Sequence, residues 1–455
     1  MNKFLLKYNR TGPRYTSYPP ATFFTGSYNN EQYVESLKQS NGEEPQAISI
    51  YVHIPFCPRQ CHFCGCNTTI ATSNNDVERY INAITKEIEN VAANLDKKRK
   101  VTQIHWGGGT PNAIPFVFIE KIMDTIKHFF DVEASAEVAM ECNPAYIEYE
   151  HIDLLKKFGF NRISLGIQDF NNETLSVINR LPSKNPIEEL ISYIKKNKFK
   201  GINIDLIYGL PKQTPESFTK TIKKAIELSP DRIVTFSYAH VPWFNPNMKI
   251  LEKHGLPTTE EKFELFDLAF ELLSKNGYIP IGLDHYAKPT DDLSIAMTEK
   301  KLHRNFQGYC TRETTGQVYA FGASGISQMW NSYSQNIKNY VKYCEEIETK
   351  GFAIERGYKL TIIDQICREA INAIMCNGYL NFKTLANQFT ISVEKLKEIL
   401  KFDPENLEEF IEDGLVEMND EEVTVNADGM LIVRNIAMVI DPQLEVKQGM
   451  YSKTI

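Results

Sequence analysis

Four of the chain's nine cysteines fall within the ten residues CPRQCHFCGC, at Cys57, Cys61, Cys64 and Cys66. Thiolates are soft ligands that suit iron–sulfur clusters or zinc. Structural zinc usually takes two Cys or His pairs set apart by a longer spacer, and no second pair follows this loop. A compact zinc site closed by all four thiolates is one reading. The other takes Cys57, Cys61 and Cys64 as three ligands of one 4Fe–4S cluster. One iron then lacks a protein ligand and can bind a small molecule, as an open catalytic zinc does. Cys66 is the extra thiol: a packed small residue, or a group that supports turnover.

A reactive loop needs a scaffold. A βα rhythm begins near residue 47, with strand candidates at 47–54, 101–106, 137–142, 162–168, 201–211 and 232–240. Helical runs lie near 76–94, up to about 130, and near 148–158, 172–178, 186–196 and 214–228. Repeats of roughly 30–40 residues suit βαβ units around a parallel sheet. Six such units predict an α/β fold built on a partial (β/α)6-type barrel. Ligands of parallel sheets bind at the carboxyl ends of the strands, and the chain's unusual residues recur there. The cysteine loop follows the first strand and Gly107, Gly108, Gly109 and Thr110 the second. Glu141 ends the third and Gln168 the fourth; Asp205 lies in the fifth; Ala239 and His240 end the sixth. Any one alone reads as a turn glycine or a satisfied polar residue. Together they predict one mouth.

The rest of the 455 residues divides into an N-terminal segment over the active site (1–46), the barrel with its cysteine loop (47–245), an extension completing the active site (246–355) and a C-terminal domain (356–455). In the last, helices near 362–376, 382–388 and 392–400 precede a hairpin with an acidic turn and a helix near 428–437. That is a winged-helix-like order. Its Glu and Asp content argues for a lid or cover rather than DNA binding. The net charge of −8 argues against non-specific binding to nucleic acid or anionic membranes. No apolar run approaches the roughly 18 residues of a membrane span, and the first residues do not read as a signal peptide. Scattered, odd-numbered cysteines read as reduced thiols. A cytoplasmic monomer is expected, with neither nucleic acid nor membrane as partner.

The spacing C-x3-C-x2-C resembles the radical S-adenosylmethionine (SAM) enzymes. The longer stretches YNRTGPRYTSYP, YVHIPFCPRQCHFCGC, HWGGGTP, LGIQDFN, NIDLIYGLPKQTPESF, LDHYAKP and LHRNFQGY resemble, more closely, the oxygen-independent coproporphyrinogen III oxidases. This likeness runs from about residue 8 to the final YSKTI. It implies one 4Fe–4S cluster held by Cys57, Cys61 and Cys64, and two SAM molecules bound side by side. The first is implied to contact Tyr51, Gly108, Glu141 and Ile326, the second Phe63, Gly109, Thr110, Gln168, Arg180, Asp205 and Ala239. Without the resemblance, Tyr51 and Phe63 read as core and Arg180 as a solvated helix face.

The implied reaction turns two propionates of coproporphyrinogen III into vinyl groups by a 5′-deoxyadenosyl radical, in haem biosynthesis. It needs an electron donor and an acceptor that the sequence does not identify. A substrate with four carboxylates requires local positive charge in an acidic protein, and Arg10, Arg14, His303 and Arg304 are the candidates. Arginine suits bidentate carboxylate binding. Two stretches depart from the family pattern. Cys142-Asn143-Pro144-Ala145 stands where Val-Asp-Pro-Arg is usual, and Gly378-Tyr379 where an aromatic–Arg pair occurs.

Overall fold

The computed structural model describes residues 3–71, 73–243, 245–311 and 317–444. The expectations that touch residues 445–455 lie outside the described residues.

Six strands, β1 (Ile48–Ile54), β2 (Lys100–Gly108), β3 (Asp131–Cys142), β4 (Arg162–Gln168), β5 (Gly201–Tyr208) and β6 (Arg232–Ser237), pair in sequence order, every neighbour parallel. Parallel pairing requires a crossover, and amphipathic helices supply it. In Ile187–Lys196, Ile187, Leu190, Ile191 and Ile194 face inward, with Glu188 and Glu189 in its first turn and Lys195 and Lys196 in its last. That placement of charge suits the helix dipole. Strands covered on both faces become continuous apolar runs; β1 is buried at every position except Tyr51.

Several strand limits differ from the sequence reading: β2 runs two residues past the expected 106 and β5 ends at Tyr208 rather than 211. Strand β3 starts at Asp131, because its first residues pair with Lys100 and Val101 before a register shift restarts the ladder at Gln103–Glu137. Strand β6 stops at Ser237, short of the expected 240. There the chain turns, and Tyr238 donates its N–H back to the Tyr208 carbonyl.

Beyond β6 the sequence suggests loops and short strands. The structure adds them to both edges of the sheet. On one edge β8 (His285–Ala287) pairs antiparallel with β6, and β7 (Ile279–Pro280) pairs antiparallel with β8. Next, β9 (Leu302–Asn305) and β10 (Gly308–Thr311) form a separate hairpin. On the other edge β11 (Gln317–Phe321) pairs parallel with β1, followed by β12 (Ile326–Gln328), β13 (Ser332–Asn336) and β14 (Ile354–Lys359). The result is a 12-stranded sheet.

The C-terminal region has helices Ile362–Asn377, Phe382–Gln388 and Val393–Ile399 around a three-stranded sheet of β15 (Tyr379–Asn381), β16 (Val416–Met418) and β17 (Glu422–Val425). A capping box of Thr361 and Asp364 starts the first helix, and Gly378 in the left-handed region (φ 57°) ends it. The expected last helix is two short ones, Ala427–Met430 and Val433–Val439. The N-terminal segment is fastened to this region: Tyr8 stacks on Phe410 at 4.8 Å, and the hydroxyls of Tyr15 and Tyr18 donate to Asp441.

At the amino ends of the strands, Glu137, Arg162, Arg232 and Asp291 form a buried charge network, with Arg162–Glu137 at 2.7 Å and Arg232–Asp291 at 2.8 Å. This network closes the end of the sheet opposite the cysteine loop. No helix among the described residues is long and apolar enough to cross a membrane.

Candidate active site

The cysteine loop leaves β1 and is closed at its base by paired bonds: Cys57 N–H to the Thr69 carbonyl and Thr69 N–H to the Pro55 carbonyl, both 2.8 Å. Loops from other strands then grip it. Asn179 Nδ2 donates to the Gln60 carbonyl, His62 N–H to the Ile178 carbonyl, and Asn245 Nδ2 to the Cys64 carbonyl. Phe63 leaves the loop to pack against the apolar cluster that includes Leu175, Ile178, Ile207 and Tyr238.

The glycines at the end of β2 permit the close approach. Gly108 has φ 109°, and a Cβ there would lie 2.6 Å from the His53 ring. A Cβ on Gly109 would lie 2.8 Å from the Pro55 and Phe56 carbonyl oxygens. Gly109 N–H instead donates to the Ile54 carbonyl at 2.7 Å and Thr110 N–H to the Phe56 carbonyl at 2.9 Å. The Thr110 hydroxyl then points at Cys57 Sγ, 3.4 Å away.

The donor set suits an iron–sulfur cluster. Arg180 Nη1 approaches Cys61 Sγ at 3.6 Å, so its charge favours thiolate there. Burial pushes the Cys57 thiol up to about 11, and it also raises that of Cys61, against the pull of Arg180. A buried thiol of raised pKa is stabilised as thiolate by metal. Cys64 is held low, at about 7, chiefly by its hydrogen bond with Cys66, whose own thiol is raised by the same bond. Among the described residues no group of three or more His, Cys, Asp or Glu side chains closes around a single ion. The buried Oε1 of Gln168 has no hydrogen-bond partner among the described residues. Gln168 sits at φ 71°, beside Arg180, whose Nη2 donates to the Gly166 carbonyl. These features fit a cluster and a polar cofactor bound against it.

Across the strand ends, Glu141 Oε1 bonds His105 Nε2 at 3.0 Å, and Tyr51 stacks on His105 with ring centroids 6.0 Å apart. Burial alone would lower the His105 pKa, but Glu141 raises it overall. Burial lifts Asp205 to about 6 despite the bond from Ser164 at 2.8 Å. Tyr51 donates to His53 Nδ1 at 3.2 Å, while His53 Nε2–H donates to the Asn67 carbonyl at 3.0 Å. Sequence reasoning missed His53 and His105, whose alternating positions look like ordinary strand residues. Ile326, by contrast, packs on Phe24, Tyr333 and Leu360, under the N-terminal segment.

Beside this cleft lies a cavity of about 670 Å³. Tyr208, Phe236, Tyr238, Trp243, Phe263 and Phe266 supply aromatic wall, and Ala239 and His240 lie between them. Arg14, Lys262, Arg304 and Arg434 supply positive charge from four separate parts of the chain. Burial holds Arg434 down at about 9 and Lys262 at about 8, with the charge of Arg14 adding to both. Lys262 and Arg434 were invisible as candidates, since an isolated Lys or Arg in a helical run reads as solvated surface. Of the four sequence candidates, Arg14 and Arg304 line the cavity. His303 lies one residue away in β9, outside the cavity lining, and Arg10 ion-pairs with Glu409 at 2.7 Å.

The radical SAM superfamily profile matches residues 51–225, from β1 into the helix after β5. Over 456 aligned residues the chain is 37% identical to an oxygen-independent coproporphyrinogen III oxidase of Synechocystis, covering 100% of this chain and 97% of the relative. It is 38% identical over 445 residues to that of Escherichia coli, covering 98% and 95%. The solved structure of coproporphyrinogen III oxidase from Escherichia coli, a radical SAM enzyme, superposes with a TM-score of 0.90 at 36% identity, over 97% of this chain and 98% of that one. Superfamily membership implies a 4Fe–4S cluster and SAM. The fold, the loop and the full-length likeness agree: this chain belongs to the oxygen-independent coproporphyrinogen III oxidase family of radical SAM enzymes.

Proposed function

We propose that the chain carries out the anaerobic oxidative decarboxylation of coproporphyrinogen III to protoporphyrinogen IX. The observation that carries this reading is the cavity: aromatic walls sized for a macrocycle, with four cations converging beside the carboxyl ends of β5 and β6. A tetracarboxylate relieves the mutual repulsion of those cations, which a neutral ligand would leave in place.

When bound, the cluster and SAM supply a one-electron cleavage that yields a carbon radical able to take a hydrogen atom. Each propionate then gives up that hydrogen atom, carbon dioxide and one electron, and a carbon–carbon double bond forms. The electron leaves to an acceptor, and the reaction also requires an electron donor.

The chain's residues hold and orient. Cys57, Cys61 and Cys64 are the cluster ligands in this reading. Gly108, with Tyr51, Glu141 and Ile326, would receive one SAM. A second SAM would lie against Phe63, Gly109, Thr110, Gln168, Arg180, Asp205 and Ala239. The unpartnered Gln168 Oε1 and the mixed wall of Asp205 and Arg180 support a polar ligand there. Arg14, Lys262, Arg304 and Arg434 orient the propionates, and the aromatic wall excludes water from the radical. The segments 1–46 and 356–455 act as covers over the barrel of 47–245 and its extension 246–355. Arg14 and Arg434 in the cavity wall support that role.

The test is anaerobic turnover. The reconstituted enzyme receives a reductant, SAM, an electron acceptor and coproporphyrinogen III, and products are identified by mass. The reading predicts a divinyl product with cofactor cleavage. Cofactor cleavage without vinyl formation would reject this substrate and leave the radical chemistry standing.

A further inference from the structure

One carboxylate in the cavity is not explained by a site for anionic side chains. Asp284 lies in the wall, just ahead of β8, in company with Arg14 and Arg304. A negative charge there repels every propionate brought to the neighbouring cations, unless the ligand offers it something else.

The carboxylate is held firmly. Its backbone carbonyl accepts the Thr235 N–H at 2.8 Å, and its Oδ1 accepts His285 Nδ1–H at 2.6 Å. The His285 ring is itself fixed edge-on against Tyr309 (5.3 Å) and Phe236 (6.3 Å). Burial alone would favour the neutral acid, but His285, Arg304 and Arg14 keep the group below the ordinary carboxylate range. No ion pair joins Asp284 to Arg304 or Arg14, and Oδ2 takes no hydrogen bond from any described residue. A positioned, ionised acceptor thus faces the cavity with one oxygen free.

Resting on the substrate reading above, we infer that Asp284 accepts pyrrole N–H bonds from the centre of the macrocycle, with His285 as its positioning residue. A porphyrinogen presents four pyrrole N–H donors at its centre and carboxylates at its rim. The cavity's pattern is complementary: one carboxylate in the wall, cations around it. The same group discriminates oxidation states. The oxidised porphyrin carries identical propionates, yet two of its central nitrogens are acceptors that a carboxylate repels. Asp284 thereby selects the reduced macrocycle.

The test is binding, not turnover. Cluster-loaded enzyme, without SAM or reductant and under strict anaerobiosis, is titrated with coproporphyrinogen III and with coproporphyrin III. Wild type is expected to prefer the porphyrinogen by about 10-fold or more. Asp284→Ala is expected to weaken porphyrinogen binding by about 10- to 100-fold, and Asp284→Asn by less, since its amide oxygen still accepts. Porphyrin binding stays level or tightens in both variants, because a repelling charge has gone. Parallel losses for the two ligands, or an unchanged porphyrinogen affinity, would overturn the assignment. A wild type that binds both ligands equally overturns it without recourse to any variant. A wild type that binds neither removes the substrate reading itself.

Discussion

Arg304 donates Nη1–H to the backbone carbonyl of Arg14 at 2.6 Å, so a β9 side chain fastens the N-terminal segment over the cavity. The Nε of the same guanidinium is buried and has no hydrogen-bond partner among the described residues. Replacing Arg304 with Ala is expected to raise KM for coproporphyrinogen III by about 10- to 100-fold, the worth of a charge-assisted hydrogen bond. Lysine should rescue only part, because it lacks the planar fork. Steady-state kinetics with cluster content held equal measure both.

Arg434 reaches the cavity from the C-terminal region and donates to the Gly12 and Pro13 carbonyls at 3.0 and 3.3 Å. Arg434→Met keeps the bulk and removes the donors. KM should rise, and limited proteolysis should cut the N-terminal segment faster than in wild type. An unchanged cleavage rate would show that Tyr8, Tyr15 and Tyr18 suffice to hold the segment.

Cys61 and Cys66 should respond differently to serine. Cys61 sits under Arg180, whereas Cys66 is exposed and touches Cys64 only through its N–H at 3.4 Å and its thiol. Iron and sulfide analysis after reconstitution should show a lost cluster in Cys61→Ser and a retained one in Cys66→Ser. Product formation by the second variant then reports whether Cys66 serves turnover.

Gly109→Ala places a methyl group 2.8 Å from two backbone carbonyl oxygens that cannot swing aside. The cysteine loop must shift. A stability loss of about 1–3 kcal/mol is expected from overpacking, together with incomplete cluster uptake. Thermal melting of the apo-protein separates the first effect from the second.

Glu137 links the charge network to acid stability. Burial would raise its carboxyl, but Arg162 and Arg232, with the Gln103 amide, overcome this and hold it at about 2, against an ordinary 4.5. A depressed folded-state pKa means that the unfolded chain binds the extra proton first. The contribution is therefore complete above about 4.5 and lost as pH falls toward 2. Glu137→Gln should flatten that part of the stability curve. It should also cost about 3 kcal/mol near neutrality, by leaving Arg162 short of its 2.7 Å partner. Denaturant titrations across the acid range check both effects.

What the sequence determined by itself is local and periodic. Apolar runs repeating with βα spacing specify the six parallel strands, since strand and helix periods are written in adjacent residues. The cysteine spacing and the glycines at the end of β2 are equally legible, because a loop's chemistry and its room for close approach are set within a few positions. Only the tertiary structure decided which distant groups meet. Strand β11 joins the free edge of β1, a pairing that no local pattern announces. Arg10 and Arg14 look equivalent in the chain, yet Tyr8 stacking on Phe410 draws Arg10 toward Glu409, while Arg14 reaches the cavity. Lys262, Asp284 and Arg434 each read as ordinary polar residues. They acquire meaning together, because a cavity wall gathers side chains by distance in space, which sequence separation does not encode.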